Sequence, residues 1–501
     1  MNSKINTILD KSSFKNISYF DGQSKLSYDE VKTCTFNLLK NIPARVNGVQ
    51  QGICLLMERG SHYIATMFAA WQAGFYIVPL NTSWPIQKNN EIISKIKPAA
   101  VISDDENITS LANGFKSINV INLFEKNEGL QNDFSLVSPL RPADVAYIIF
   151  TSGSTGEPKG VVISAASFRS YVDWTQRYFA EYSTSKRLLL TSELTFDITM
   201  GDIAFALAFG TSIGVARQNT NIPSVLALIM KYEIDVLYSV PTTHLALTAF
   251  AKRKRGADIS CLKLILSGGD RFPWQLVEDY KSLTQGAHFY NVYGPTEVTI
   301  NCFAVRLDNK ENLIAEDKPV PIGECFDSLN YVLLDEDNIA SKEGELCISG
   351  PQLMMGYYQD KNLTDSAFTT DPTVSFVQRL LYKTGDLAYE DDGLIYLKGR
   401  IDGLVKIRGY RIHPDEVSKA IDTLDGVDVS AVVTVGKQTD AALVAFIKLD
   451  QGLEFTKETI DSKLKEKLPA YMIPVDYVFV ETFPLNQSGK IDKNALIKRL
   501  L

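Results

Sequence analysis

Tyr147-Ile148-Ile149-Phe150-Thr151-Ser152-Gly153-Ser154-Thr155-Gly156-Glu157-Pro158-Lys159-Gly160 joins an apolar run to a segment rich in Gly, Ser, Thr and Lys. The run from Val145 to Phe150 reads as a buried strand. In the segment after it, small residues leave the backbone N–H groups free to close around an anion. The hydroxyls add donors, and Lys159 adds a full positive charge. A loop of this kind grips polyphosphate. It is not a Walker A loop, because Pro158 stands where GxxxxGK, counted from Gly153, needs its second glycine. A Gly/Ser surface linker has a similar composition, but linkers rarely follow a hydrophobic strand and end in Pro-Lys-Gly.

On both sides of this loop the chain alternates short apolar strands with longer amphipathic segments. Ile53 to Met57, Tyr76 to Leu80 and Ala99 to Ser103 read as strands, and Tyr63 to Ala73 has helical spacing. The rhythm continues through Val236 to Val240 and Leu262 to Ser267. Repeated strand–helix–strand units predict an α/β fold of parallel and mixed sheets with helices on both faces. Near residue 320 the texture changes to short strands and turns, Tyr331 to Asp335 and Glu345 to Gly350, predicting a small β-rich subdomain over about 320–400. After Gly399-Arg400-Ile401-Asp402-Gly403 it changes again. A helix (Asp415 to Leu424), two strands (Val429 to Val435, Ala442 to Leu449), a helix (Lys457 to Leu468) and a last strand (Tyr477 to Val480) follow. The expected organisation is a large N-terminal domain, 1–401, and a small mobile α+β domain, 402–501, with Asp402-Gly403 as a candidate hinge.

A chain of 501 residues exceeds one ordinary core, and 45% hydrophobic with 22% charged residues describes a globular protein. Fifty-one basic against 59 acidic side chains give a net charge of −8, which argues against nucleic acid as a main partner. The six cysteines are scattered without a CxxC pair, a poor basis for zinc or disulfide frameworks and a fit to a reducing cytoplasm. Met1 to Lys15 has no apolar core, and no apolar run is long enough to span a bilayer, so neither a signal peptide nor a membrane partner is expected.

Three further constellations carry chemistry. Asn291-Val292-Tyr293-Gly294-Pro295-Thr296-Glu297 follows a predicted strand, and its Gly-Pro turn presents an aromatic face, a hydroxyl and a carboxylate. Ligands of open α/β sheets sit at the carboxyl ends of strands, so this placement suits a nucleotide. Tyr293 could stack on adenine, Thr296 bind phosphate and Glu297 hold Mg²⁺. In Tyr382-Lys383-Thr384-Gly385-Asp386-Leu387, Asp386 can accept from both hydroxyls of a ribose, and Arg400 adds a donor. Last come Leu468-Pro469-Ala470-Tyr471-Met472-Ile473-Pro474 and Asn486-Gln487-Ser488-Gly489-Lys490-Ile491-Asp492.

In order and spacing these constellations resemble those of the adenylate-forming enzymes: peptide-synthetase adenylation domains, acyl-CoA synthetases and luciferases. Leu26 to Glu30, Gly74 to Leu80, Gly344 to Leu346 and Lys406-Ile407-Arg408-Gly409-Tyr410-Arg411-Ile412 match further motifs of the family, so the resemblance runs from about residue 26 to 492. It implies ATP and Mg²⁺ as cofactors. Lys490 would be the catalytic lysine, bridging the carboxylate and α-phosphate as pyrophosphate leaves. Lys159 with Thr151, Ser152, Gly153, Ser154, Thr155 and Gly156 would hold the β- and γ-phosphates. Asp386 and Arg400 would bind ribose, Tyr293 and the Gly268-Gly269-Asp270 strand end would surround adenine, and Asn291 would be a further cofactor-binding residue. Thr296 and Glu297 would serve phosphate and metal, and Asp402 would be the hinge. Such enzymes form an acyl-adenylate, then rotate the small domain so that the Gly409 loop lines a tunnel for a thiol.

Phe196-Asp197-Ile198-Thr199 resembles the peptide-synthetase form of the acyl-pocket motif, in which Asp197 receives the amine of the substrate; as a helix N-cap the same Asp would be purely structural. By the same resemblance the pocket would be lined by Asp197, Ile198, Gly201, Tyr238, Leu266, Gly268, Val292, Ile300, Asn301 and Lys490. A flat slot between Gly268 and Tyr238, with a deep amide at Asn301, suits anthranilate or a hydroxyanthranilate. Proline and D-alanine are the rival acids. Because no carrier segment follows Lys490, a stand-alone enzyme loading a separate phosphopantetheinylated carrier protein is expected. The alternatives are an acyl- or aryl-CoA ligase and a non-catalytic nucleotide sensor, which would be expected to have lost Lys490, Glu297 or the phosphate loop. One departure from the family pattern stands at His413-Pro414-Asp415, where Glu-x-Gly is usual, and His413 reads as a surface residue without a role.

Overall fold

The computed structural model describes residues 12–105, 114–126, 140–151, 158–270, 272–308, 319–374, 378–401, 403–407, 409–436, 441–449, 456–484 and 491–500. Two helices explain the layering. Ser61–Ala73 and Asp197–Phe209 are apolar around nearly their whole circumference, and almost every residue in them is buried. Such helices need cover on all sides. Ser61–Ala73 packs on strands of two different sheets, and Trp71 donates its indole N–H to the Ala146 carbonyl at 2.8 Å. Both helices stop at glycines in the left-handed region, Gly74 (φ 93°) and Gly210 (φ 73°), where a Cβ would be strained.

The first sheet is mixed. Its order begins Gly356–Tyr357, β2 (Lys159–Ser164), β1 (Val145–Thr151), then continues through Tyr76–Pro79, Gly52–Leu56, Ala100–Ser103 and Ser117–Asn119. β1 and β2 pair antiparallel with Thr151 opposite Lys159. The second sheet carries a parallel run, Ser212–Val215, Arg187–Leu190, β3 (Val236–Ser239), β4 (Leu264–Ser267) and β5 (His288–Tyr293). Its strands are continuously apolar because both faces are covered.

A six-stranded antiparallel sheet follows, built mainly on Asn330–Leu334, Glu343–Ser349, Leu380–Asp391 and Leu394–Arg400. Beyond it lie the hairpin Val405–Ile407/Tyr410–Ile412 and a three-stranded sheet of Val427–Val435, Ala442–Leu449 and Asp476–Phe479, packed with helices Pro414–Asp422 and Lys457–Lys465 around their own core. The chain is thus a large N-terminal α/β domain with a β-rich part and a small C-terminal α+β domain, as expected. The helix expected to reach Leu468 ends at Lys465, and Pro469 keeps it from continuing past Leu468. Among the described residues, no helix is long and apolar enough to cross a membrane.

Candidate active site

β3, β4 and β5 end side by side, and the N-terminus of α1 (Asp197–Phe209) stands next to them. There a cavity of about 90 Å³ is lined from five directions. The large sheet and α1 supply Asp197, Ile198, Tyr238, Gly269, Ile300 and Asn301. The end of β1 supplies Thr151, and the loop after β5 supplies Tyr293, Gly294 and Thr296. The β-rich sheet supplies Asp386 and Arg400, and the C-terminal domain supplies Lys406, Gly409, Tyr410 and Tyr471.

Asp197 is the first residue of α1. The N-cap is Phe196, which makes no side-chain cap bond, so the capping role for Asp197 is not the one it takes. Its carboxylate stands at the positive end of a helix dipole and faces the cavity, a fit for an amine. Beneath it Tyr238 is buried and donates to Asn301 Oδ1 at 3.1 Å, while Asn301 Nδ2 donates to the Tyr171 hydroxyl at 2.9 Å. Burial holds both tyrosines protonated, so they remain donors. These bonds occupy one lone pair of the Asn301 oxygen and one N–H of its nitrogen, and Asn301 lines the cavity. Gly268 and Tyr238 stand close together, which narrows the expected slot between them. A Cβ built on Gly268 would lie 3.2 Å from the Tyr238 hydroxyl, and one on Gly201 would lie 2.7 Å from its ring. The Tyr238 ring fills the room at Gly201, and Val292 is the nearer neighbour at Gly268. Gly201, Gly268 and its close neighbour Val292, and Leu266, the partner of Tyr238 across the β3–β4 ladder, form the layer around this ring.

On the nucleotide side, Asp386 accepts from Arg400 Nη1 at 2.7 Å and from the Tyr293 hydroxyl at 2.5 Å, and Arg400 Nη2 holds the Thr384 carbonyl at 3.1 Å. The register of the strand pair puts Asp386 opposite Arg400, which is why residues fourteen apart in sequence share a site. A carboxylate offers about four acceptor positions, so the two protein bonds leave capacity for ribose hydroxyls. Lys406 Nζ lies 5.7 Å from the centre of the Tyr293 ring. Asn291 does not join them. Its Nδ2 donates to the Pro321 carbonyl at 2.7 Å, and the residue is buried at the end of the sheet.

On the phosphate side, Glu297 is buried and accepts from the Tyr357 hydroxyl at 2.9 Å. Lys159 Nζ stands 5.4 Å from the centre of the same Tyr357 ring. One tyrosine thereby sets the spacing between the cation and the carboxylate. Among the described residues no group of three metal-ligating side chains occurs. A buried carboxylate is the donor type that Mg²⁺ takes, since that ion keeps several waters and needs only one or two carboxylates beside substrate phosphates.

The C-terminal domain closes the cavity. Gly409, at φ 82°, donates its N–H to Asp270 Oδ2 at 3.4 Å and packs against Val240. Tyr410 meets Phe196 edge-on at 4.8 Å and stacks on Tyr471 at 3.8 Å.

Residues 10–358 match the family model described as AMP-binding enzyme, and residues 416–490 match the AMP-binding enzyme C-terminal domain. The chain belongs to the AMP-binding enzyme family. It is an adenylate-forming ligase. Bacitracin synthase 3 of Bacillus licheniformis is 30% identical over 489 residues, which are 94% of this AMP-binding enzyme and 7% of that much longer protein. In fold it is similar to the Vibrio cholerae adenylation domain AlmE, solved with glycyl-adenosine-5'-phosphate (TM-score 0.80, 23% identity, 100% of this chain and 99% of that one). It is also similar to NpsA-ThdA, an artificially fused adenylation–PCP di-domain from Klebsiella oxytoca (TM-score 0.79, 21% identity, 95% and 94%).

Ser152, Gly153, Ser154, Thr155, Gly156, Asp402 and Lys490 lie outside the described residues. Tyr171, Tyr357 and Trp84 join the site of the AMP-binding enzyme without having been legible in its sequence. Tyr171 sits in an ordinary amphipathic helix, and Tyr357 reaches the site only because its strand pairs with β2. The reading of His413 is corrected too. It is buried and N-caps helix Pro414–Asp422, its Nδ1 accepting from Asp415 N at 3.3 Å. Asp415 in turn pairs with Lys493, which holds its carboxyl below the usual range.

Proposed function

We propose that this AMP-binding enzyme joins an amine-bearing carboxylic acid to ATP as an acyl-adenylate, releasing pyrophosphate. It then passes the acyl group to the phosphopantetheine thiol of a carrier protein in nonribosomal peptide biosynthesis. The observation that carries this reading is the convergence of Asp197 with Asp386, Arg400, Thr296 and Thr151 on one cavity. Asp197 orients the acid by its amine, so that its carboxylate points toward the strand ends. Asp386, braced by Arg400 and Tyr293, holds the ribose. Lys159 and Thr296 take the phosphates, and Glu297 would hold the Mg²⁺ that neutralises charge on their oxygens. The resemblance assigns Lys490 to the charge that develops between carboxylate and α-phosphate.

The second step is supported by the Gly409 loop, which sits at the cavity and not away from it. In this reading residues 402–501 swing about Asp402, and the described arrangement is the thiol-transfer one. AlmE, whose fold is similar, holds the adenylate of an amino acid. Within the amine-bearing class, the contact of Tyr238 with Gly268 favours the compact acids, D-alanine and proline, over the aminobenzoates that the sequence pattern puts first.

ATP–pyrophosphate exchange with anthranilate, 3-hydroxyanthranilate, L-proline and D-alanine tests the reading. Acid-dependent exchange that Asp197→Asn weakens through the acid's KM is expected. Exchange with acids lacking an amine would overturn the role of Asp197. Acylation of coenzyme A as fast as of any carrier would favour the CoA-ligase reading.

A further inference from the structure

The segment Leu468 to Pro474 has no part in the chemistry described so far, yet Tyr471 from it reaches the cavity. It sits on a single 3-10 turn, Ala470–Met472, that follows Pro469, and Met472 anchors the turn in the C-terminal core. The ring of Tyr471 lies 3.8 Å from that of Tyr410, at an interplanar angle of 17°. On its other side Tyr410 meets Phe196, whose neighbour Asp197 faces the acid. Three rings therefore run in series from the C-terminal core to the residue preceding α1. The Gly409-Tyr410 hairpin has only a two-stranded ladder of its own, and its ladder bonds do not determine how far it enters the cavity.

We infer that Tyr471 is a positioning residue for the thiol-transfer step: its ring backs Tyr410, so that the Gly409 loop stays seated against Val240 and Asp270. The inference rests on the proposed thiol-facing role of that loop. Stacking needs the ring and not the hydroxyl, so Phe should substitute and Ala should not. The adenylation step, in which the resemblance turns the small domain elsewhere, does not use the stack.

The test uses the full chain and the variants Tyr471→Ala and Tyr471→Phe. Hydrogen-exchange mass spectrometry of the unliganded protein reads the seating of the Gly409-Tyr410 peptide directly. Faster exchange there in Tyr471→Ala, and near wild-type protection in Tyr471→Phe, are expected. With whichever acid of the panel supports pyrophosphate exchange, the ratio of acyl transfer to free pantetheine over that exchange should fall at least about tenfold in Tyr471→Ala, with Tyr471→Phe restoring it. Unchanged protection in Tyr471→Ala overturns the inference, as does an equal loss of both half-reactions in a variant that melts like wild type. Lost protection in an enzyme whose wild type transfers no acyl group to pantetheine would refute the thiol-transfer reading while the bracing contact stood.

Discussion

Replacing Gly409 by alanine separates the two half-reactions, and its size follows from two features of the site. The residue has φ 82°, and a Cβ there would lie 2.5 Å from Val240 Cγ1 and 3.2 Å from Val240 Cβ. A non-glycine residue in the left-handed region costs about 1–2 kcal/mol, and forcing a methyl group into a packed contact costs about 1–3 kcal/mol. Together the seated loop is disfavoured by roughly 2–5 kcal/mol, about 30-fold to several thousand-fold in population. A loop that leaves Val240 escapes the clash, so the penalty falls on the seated arrangement. ATP–pyrophosphate exchange should stay near the wild-type rate, while single-turnover transfer of the acyl group to pantetheine drops at least about 30-fold. Val240→Ala in the same chain removes Cγ1 and should return part of the loss. Transfer at the wild-type rate in Gly409→Ala would refute the reasoning, and so would an equal fall in exchange.

Tyr171→Phe removes the acceptor for Asn301 Nδ2 and leaves a buried N–H without its partner, at about 1–3 kcal/mol. Isothermal titration should show weaker acid binding with ATP affinity unchanged. Tyr357→Phe deletes the hydroxyl that Glu297 accepts from and keeps the ring beside Lys159. The Mg²⁺ concentration needed for half-maximal exchange should then rise several-fold, and an unchanged requirement would remove Tyr357 from the site. His244 is buried between the Tyr280 hydroxyl and the Leu266 carbonyl, and burial pulls it down to about 4. The unfolded chain binds this proton near pH 6.5, so the stabilisation is present above that pH and is lost as pH falls from about 6.5 to 4, by up to about 3 kcal/mol. Denaturant midpoints across that window should fall more steeply for wild type than for His244→Gln.

Much of the architecture is legible in the sequence. Apolar runs such as Val145 to Phe150 and Val236 to Ser239 are strands because a strand covered on both faces is continuously hydrophobic. The change of texture near residue 320 marks the antiparallel sheet, where short strands alternate with turns. Tyr293, Thr296, Asp386 and Arg400 could be proposed in advance because each stands in a local motif of charge, turn and small residues, and Asp197 because Phe196-Asp197-Ile198-Thr199 resembles an acyl-pocket motif.

The residues that escaped were those whose position depends on long-range pairing. Tyr357 joins Lys159 to Glu297 because the strand Gly356–Tyr357 pairs with β2, and Asn301 meets Tyr171 from far along the chain. Asn291 reads as a ligand by its neighbours, and its amide nitrogen is held by the distant Pro321 carbonyl. His413 looked superficial, yet it caps a helix from a buried position. Local sequence therefore specified the elements, the order of the motifs and the chemical types gathered at the strand ends, since strand periodicity, turn residues and charge act over a few residues. Tertiary packing alone decided which hydroxyl meets which carboxylate, that the Tyr238 ring fills the space beside Gly201, and that the Gly409 loop seats in the cavity. Those outcomes are set by contacts of a few ångström between segments that no local pattern relates.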